Sequence, residues 1–194
     1  NFMSNPDEQS AIEQFGDGDR YTGTCLVMAT LPGLPMFGHG QVEGFKERYG
    51  MEYRQAYWDE QPRQDLIERH SAEIAPLLRQ REIFAEVEHF RLYDLVAFGG
   101  QIDGHVLAYS NGAGERATLV LFNNSGHPVH GRLMTSAPFL TGQEGSDGET
   151  ATAEASQALG FDREGFWRFE DNRAGREFLA DGAEVQLNGL EVDL

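Results

Sequence analysis

Carboxylate, amide and imidazole side chains in the N-terminal part of the sequence can bind a polar ligand. Among them are Asn5, Asp7, His39, Gln41 and Glu43. Each can form hydrogen bonds, and the carboxylates also carry charge. An aspartate beside a proline is more often a turn or helix-cap residue, and a histidine in a glycine-flanked loop is about as often simply exposed. Gln41 and Glu43 could hold either a ligand or the loop itself.

Other arrangements that carry known chemistry are missing from the sequence. The remaining histidines lack metal-ligand spacing, since His127 and His130 are close in sequence but fall on a predicted hairpin. The segment Gly112-Ala113-Gly114 predicts a hairpin turn, because no helix with a basic residue follows it as in a phosphate loop. The serines have no Gly-x-Ser-x-Gly setting. We therefore expect no bound metal and no cofactor.

Composition narrows the classes of partner. The formal net charge of −17 would repel phosphate backbones and anionic lipid, and no basic stripe offsets it. No run of about 18 apolar residues is present to span a bilayer. The single cysteine, Cys25, slightly favours a reducing compartment. These features predict a cytoplasmic protein that binds neither nucleic acid nor membrane.

The first part of the chain has helical and buried segments. Tyr21 to Leu31 is an apolar run without clean alternation, typical of a segment buried on both faces. A helix that runs into a short strand ending at Pro32-Gly33 would fit its length. From Gln64 the apolar residues follow a helical stripe. Pro76 should kink or split that helix, because it removes an internal hydrogen bond.

From Val87 onward the apolar period changes to two, which predicts strands separated by turn residues. The predicted strands are His89–Leu95, Val106–Ser110, Ala117–Phe122, Val129–Met134, Phe166–Phe169 and Glu184–Leu187. Their spacing is typical of an antiparallel β-sandwich. The polar segment Leu140 to Glu154 predicts a long loop. We place the boundary between the two parts near Glu86, which gives domains of residues 1–86 and 87–194.

Three segments, taken in order, resemble the α-amylase superfamily, glycoside hydrolase family 13. The segment from Pro32-Gly33-Leu34-Pro35-Met36 to Glu43 is similar to the family's loop after the eighth barrel strand, in which an apolar strand ends in Pro-Gly-x-Pro. Asn5-Pro6-Asp7 stands where the family has Asn-His-Asp. The proline in place of histidine is similar to the Asn-x-Pro-Asp variant of this motif in the family's maltosyltransferase branch. Leu66 to Phe84 resembles the helix that closes the barrel.

The resemblance implies a fold and a function. The fold would be α/β followed by all-β: the end of a (β/α)8 barrel, about β7 to α8, and then an antiparallel β-sandwich. The function would be that of a C-terminal fragment of an α-glucan-active hydrolase or transglycosylase with a retaining mechanism. Its partners would be an α-glucan or oligosaccharide and the upstream remainder of the barrel. The nucleophile and the acid/base would precede Asn1, so the chain alone is expected to be inactive.

The resemblance also assigns roles to single residues. Asp7 would be the catalytic carboxylate that stabilises the transition state, and the substrate-binding residues would be Asn5, His39, Gln41 and Glu43. Tyr53, Tyr57 and Trp58 could stack on sugar rings, although packing at the barrel rim is the more common role of such a cluster. The rival interpretation is a non-catalytic carbohydrate-binding or structural β-sandwich module with a helical extension.

Overall fold

The computed structural model describes residues 1–48, 54–141, 148–161, 165–173 and 175–194. The chain divides into two compact units, Asn1–Ala85 and Glu86–Leu194. The first unit is mostly helical and the second is rich in antiparallel strands. Among the described residues, none of the helices has the length and hydrophobicity that a bilayer crossing requires.

The first unit is built from short helices around one apolar core. In chain order they are α1 (Ala11–Phe15), α2 (Asp19–Thr30), α3 (Gln64–Arg69), a π-helical turn (His70–Ile74), α4 (Ala75–Arg79) and α5 (Arg81–Phe84). The core joins buried residues of the N-terminal segment and of α1, α2, α3 and the π-helical turn, among them Met3, Ile12, Cys25, Leu66 and Ile74. A parallel bridge between Phe2 and Met36 is the β-structure of this unit within the described residues.

The strand predicted at the end of the apolar run Tyr21 to Leu31 is wrong, because α2 continues to Thr30. Tyr21, Cys25 and Met28 are buried at helical spacing, but half-buried Leu26 and Val27 on other sides of the helix are also apolar and hide the period. A helix satisfies its backbone hydrogen bonds internally, so this segment needs no strand partner. The parallel pairing instead involves Met36, beyond the Pro-Gly segment.

The helical segment that begins at Gln64 is interrupted before Pro76, as the proline predicts. The N–H of Ala75 donates to the carbonyl of His70, one residue further back than in an α-helix. Pro76, which has no N–H to donate, follows this wide turn and lies in the first turn of α4, where no backbone donor is needed. This irregular turn carries His70, which is buried.

The second unit contains a five-stranded antiparallel sheet in the order β3-β2-β1-β4-β9. Its strands are β1 (Arg91–Ala97), β2 (Val106–Asn111), β3 (Thr118–Asn123), β4 (His130–Ser136) and β9 (Leu190–Asp193). Consecutive pairing of β1 with β2 and of β2 with β3 puts Leu92 opposite Tyr109 and Ala108 opposite Leu121. The prediction of a β-rich antiparallel unit is confirmed.

Short elements cover the core of this sheet. They are the hairpin β7 (Phe166–Glu170) with β8 (Glu177–Asp181) and the helices α6 (Ala155–Ala158) and α7 (Gly182–Asn188). A separate small hairpin pairs β5 (Phe139–Leu140) with β6 (Thr150–Ala151). Trp167 and Phe169 of β7 pack against the cluster formed by Leu95, Leu133 and Val192. The second layer therefore combines a two-stranded hairpin with helices, within the residues that the structure describes.

The strand predicted at Glu184–Leu187 is wrong, because these residues lie in α7. The carboxylate of Asp181 accepts a hydrogen bond from the N–H of Ala183 and starts the helix. Gly189 has a positive φ of 79° and ends it. Alternation of polar and apolar residues over four positions was too short to outweigh these two end signals.

Candidate functional site

The Phe2–Met36 bridge brings the two candidate segments of the first unit side by side. Because the pairing is parallel, the residues that follow Phe2 and those that follow Met36 leave in the same direction. The N–H of Met36 donates to the carbonyl of Asn1 at 2.8 Å. Gly38 then lies against Ser4, since a Cβ at this glycine would be 2.5 Å from the hydroxyl of Ser4. The segment of Asn5 and Asp7 and the segment of His39 to Glu43 are therefore neighbours.

Asn5 shapes the turn that presents Asp7. Its side-chain oxygen accepts hydrogen bonds from the N–H groups of Asp7 at 2.9 Å and of Glu8 at 3.1 Å. This is an Asx turn, in which a side chain replaces a backbone acceptor. The Asp7 carboxylate is exposed, and its backbone is fixed by its neighbour, so it is available to a polar ligand.

Gln41 lies inside the first unit and is 3% exposed. Its side-chain oxygen accepts from the N–H of Gly38 at 3.1 Å, and its side-chain nitrogen approaches the sulfurs of Met3 at 3.4 Å and Cys25 at 3.9 Å. The sequence left open whether Gln41 binds a ligand or holds the loop, and these contacts are those of a residue that holds the loop. The pKa of the Cys25 thiol is raised to about 12 by burial, so this cysteine is no nucleophile near neutral pH.

A buried hydrogen-bond chain fixes the backbone of the same loop. The Tyr21 hydroxyl lies 2.7 Å from the carbonyl oxygen of Gln41 and 2.9 Å from Nε2 of His70. A carbonyl oxygen can only accept, so the Tyr21 hydroxyl donates to it and His70 Nε2–H donates to Tyr21. Burial raises the pKa of Tyr21, with Cys25 and Glu43 adding to the shift. The Tyr21 hydroxyl is thus uncharged, and it both donates one hydrogen bond, to the Gln41 carbonyl, and accepts one, from His70.

Titration of His70 should make the stability of the protein depend on pH. Burial lowers the pKa of His70 in the folded state, while nearby Glu43 opposes the shift. The unfolded chain therefore binds a proton more readily, and the free energy of unfolding should fall as pH drops below about 6.5. Urea unfolding at pH 7.5 and 5.5 checks this. We expect a smaller pH effect in His70→Gln, and an equal one would contradict the assignment.

His39 and Glu43 occupy the rest of the loop. His39 is exposed, and its ring lies 6.3 Å from that of Phe45. The carbonyl of Glu43 accepts from the N–H of Arg63 at 2.9 Å, which ties the loop to the start of α3. Only glycine fits at position 40, because its φ is 66° and an added Cβ would be 2.5 Å from the Cβ of Phe45. The loop can thus present His39 from a fixed backbone.

The aromatic residues before α3 are accessible to a ligand. The side chains of Tyr57 and Trp58 are 67% and 57% exposed. Their backbone N–H groups donate to the carboxylate of Glu47 at 2.7 and 3.0 Å, which holds this segment near the loop's end. Tyr53 lies outside the described residues.

Sequence reasoning missed Tyr21, His70 and Ser4 as parts of this region. Tyr21 begins an apolar run and His70 lies on an apolar stripe, so both looked like ordinary core positions. The signal available was a hydroxyl and an imidazole among buried positions, since buried polar groups need partners. Within the part of the chain that the structure describes, no three His, Cys, Asp or Glu side chains are grouped so as to hold a metal ion.

Comparison with known proteins gives a structural likeness. No protein-family model matches the sequence, and no curated protein sequence is similar to it. The crystal structure of a noncanonic maltogenic alpha-amylase, AmyB from Thermotoga neapolitana, is similar in fold to the whole of this chain, with a TM-score of 0.55 and 12% sequence identity. The chain spans 38% of the length of that protein. The likeness relates the chain to an amylase-like fold.

Proposed function

We propose that this chain is the C-terminal portion of an α-glucan-active glycoside hydrolase or transglycosylase. The observation that carries the proposal is the parallel pairing of Phe2 with Met36, with α1 and α2 between them. In a (β/α)8 barrel, neighbouring parallel strands are likewise joined by a helical segment. The amylase-like fold of the whole chain supports the same reading.

The position of the candidate residues agrees with barrel chemistry. Catalytic residues of such barrels lie at the C-terminal ends of the strands and in the loops that follow. Asp7 follows Phe2 and His39 follows Met36, the two residues of the parallel bridge. In the proposed enzyme Asp7 binds substrate hydroxyls and stabilises the positive charge that develops on the sugar ring. Asn5 fixes its backbone, and the carboxylate of Glu43 and the ring of His39 contact substrate.

The remaining chemical groups must come from the upstream part of the protein. Retaining glycosidases need a nucleophile and an acid/base whose carboxyl groups are about 5–5.5 Å apart. A full (β/α)8 barrel has about 250 residues, whereas the first unit ends at Ala85. The proposed division of labour is that upstream strands carry both carboxyl groups and this chain completes the site. Water or a second sugar then accepts the glycosyl group.

A direct test compares this chain with a protein extended upstream through the whole barrel. We expect release of reducing sugar from soluble starch or maltooligosaccharides by the extended protein, or transfer between oligosaccharides, and none by this chain. Binding to glucan without turnover in both proteins would contradict the proposal. That result would instead favour a carbohydrate-recognition module.

A further inference from the structure

The second unit contains a pocket that the proposed glycosidase chemistry does not use. Its volume is about 250 Å³. His89, just before β1, and Arg91, its first residue, form one wall. Gly112 to Gly114 after β2 form another, and residues between Ala153 and Gly160 form the third. Pockets for drug-sized molecules have volumes of about 300–1,000 Å³. This one therefore suits a smaller ligand.

Small residues and a buried amide give the pocket its shape. At Gly160, where φ is 75°, an added Cβ would be 3.7 Å from the Cα of Gly114, so these two walls meet closely. Asn111 is 3% exposed, and its side chain donates to the carbonyl of Glu86 and accepts from the N–H of Gly112, each at 2.9 Å. The amide holds the turn after β2 in place, so the space between the walls is built into the fold.

Arg91 is held in this pocket by uncharged groups. Its Nη1 donates to the carbonyls of Glu88 and Phe90, each at 2.8 Å, and its guanidinium carbon lies 3.6 Å from the centre of the Phe139 ring. In the described ranges no carboxylate forms an ion pair with this arginine. The two bonds from Nη1 use two of the five N–H donors of Arg91, and the other three are on Nε and Nη2. Among the described residues, the positive charge of Arg91 is therefore held in place but not neutralised by a carboxylate.

We propose that this pocket binds a phosphate group, with Arg91 as its main ligand and His89 as a second donor. A guanidinium matches the oxygens of phosphate with paired hydrogen bonds, and phosphate esters carry a charge of about −1.5 to −2 near neutral pH. The chain as a whole has a net charge of −17, which disfavours unspecific anion binding. Specific binding must therefore come from a local site, and the pocket supplies its charge and its walls.

Isothermal titration calorimetry of the full chain with inorganic phosphate, at ionic strength held constant with sodium chloride, tests the proposal. We expect one saturable site that Arg91→Gln weakens at least about tenfold, because hydrogen bonds to charged groups are the stronger class. Arg168→Gln is the matched control, since Arg168 lies on β7 and pairs with Glu177 at 3.1 Å. Binding by this control should equal that of the unaltered protein.

Ala113→Phe provides a second variant, should Arg91→Gln disturb folding. Ala113 is exposed and has an extended backbone, so a large side chain there should block the pocket without changing the unfolding temperature. Titration with glycerol phosphate separates the two sources of the group: binding of inorganic phosphate supports a site for the free ion, and binding of the ester alone supports a phosphorylated metabolite. No saturable binding of either, or unchanged binding in both variants, would overturn the proposal.

Discussion

Replacing Asp7 by Asn in the protein extended through the full barrel should lower kcat roughly 10²–10³-fold, the usual loss when one preorganised electrostatic group is removed. Asp7 is exposed in the turn that follows the Phe2–Met36 bridge, and its backbone N–H donates to the Asn5 side chain at 2.9 Å. Asparagine keeps the size and much of the hydrogen bonding but loses the charge that would stabilise an oxocarbenium-like transition state. Steady-state kinetics on a maltooligosaccharide give the measurement.

The neighbouring carboxylate supplies the control for this experiment. Glu8 is exposed, and it takes part in the Asn5 turn through its backbone N–H. Glu8→Gln removes an equal charge one residue away and should leave kcat and KM within about twofold, since isolated surface charges contribute little. Equal turnover by Asp7→Asn and the unaltered protein would remove the role proposed for Asp7. A rise in KM with unchanged kcat would instead mean that Asp7 binds the ground state and the transition state equally.

The sequence predicts the second unit better than the first. The strands predicted at Val106–Ser110 and Ala117–Phe122 match β2 and β3 to within about one residue, although the burial along these strands does not alternate strictly. The strand predicted at Glu184–Leu187 is wrong, because these residues belong to a helix of seven residues whose start and end are set by Asp181 and Gly189. The partner of each strand, and the order β3-β2-β1-β4-β9, come from long-range contacts that no local pattern contains.

In the first unit the error at α2 and the incomplete picture of the loop have one cause. Tyr21 to Leu31 is apolar all round, so its period does not reveal that it is a helix or that Tyr21 faces the loop. Gln41 and His70 are far apart in sequence, and only the packing of α2 between them brings their polar atoms to the Tyr21 hydroxyl. Which buried groups hold the loop in place is therefore visible only in three dimensions.

The Tyr21 hydroxyl should contribute more to the free energy of unfolding than an average hydrogen bond does. Tyr21→Phe keeps the ring but leaves the carbonyl of Gln41 and the Nε2–H of His70 without their partner in a buried site. Each unsatisfied buried group costs about 1–3 kcal/mol, so with two such groups the free energy of unfolding should fall by roughly 2–6 kcal/mol. Urea unfolding at pH 7.5, followed by circular dichroism, provides the measurement.

Two other tyrosines allow the same substitution to be compared at different depths. Tyr57 is 67% exposed, and Tyr57→Phe should change the free energy of unfolding by less than about 0.5 kcal/mol. Tyr93 is 3% exposed and meets one partner, the Ser110 hydroxyl at 2.7 Å, which can rotate; Tyr93→Phe should cost about 1 kcal/mol. If Tyr21→Phe cost no more than Tyr93→Phe, the hydroxyl would not be holding two groups at once. The ordering Tyr21, Tyr93, Tyr57 is what distinguishes a buried hydrogen-bond chain that fixes the backbone of Gln41 from ordinary aromatic packing.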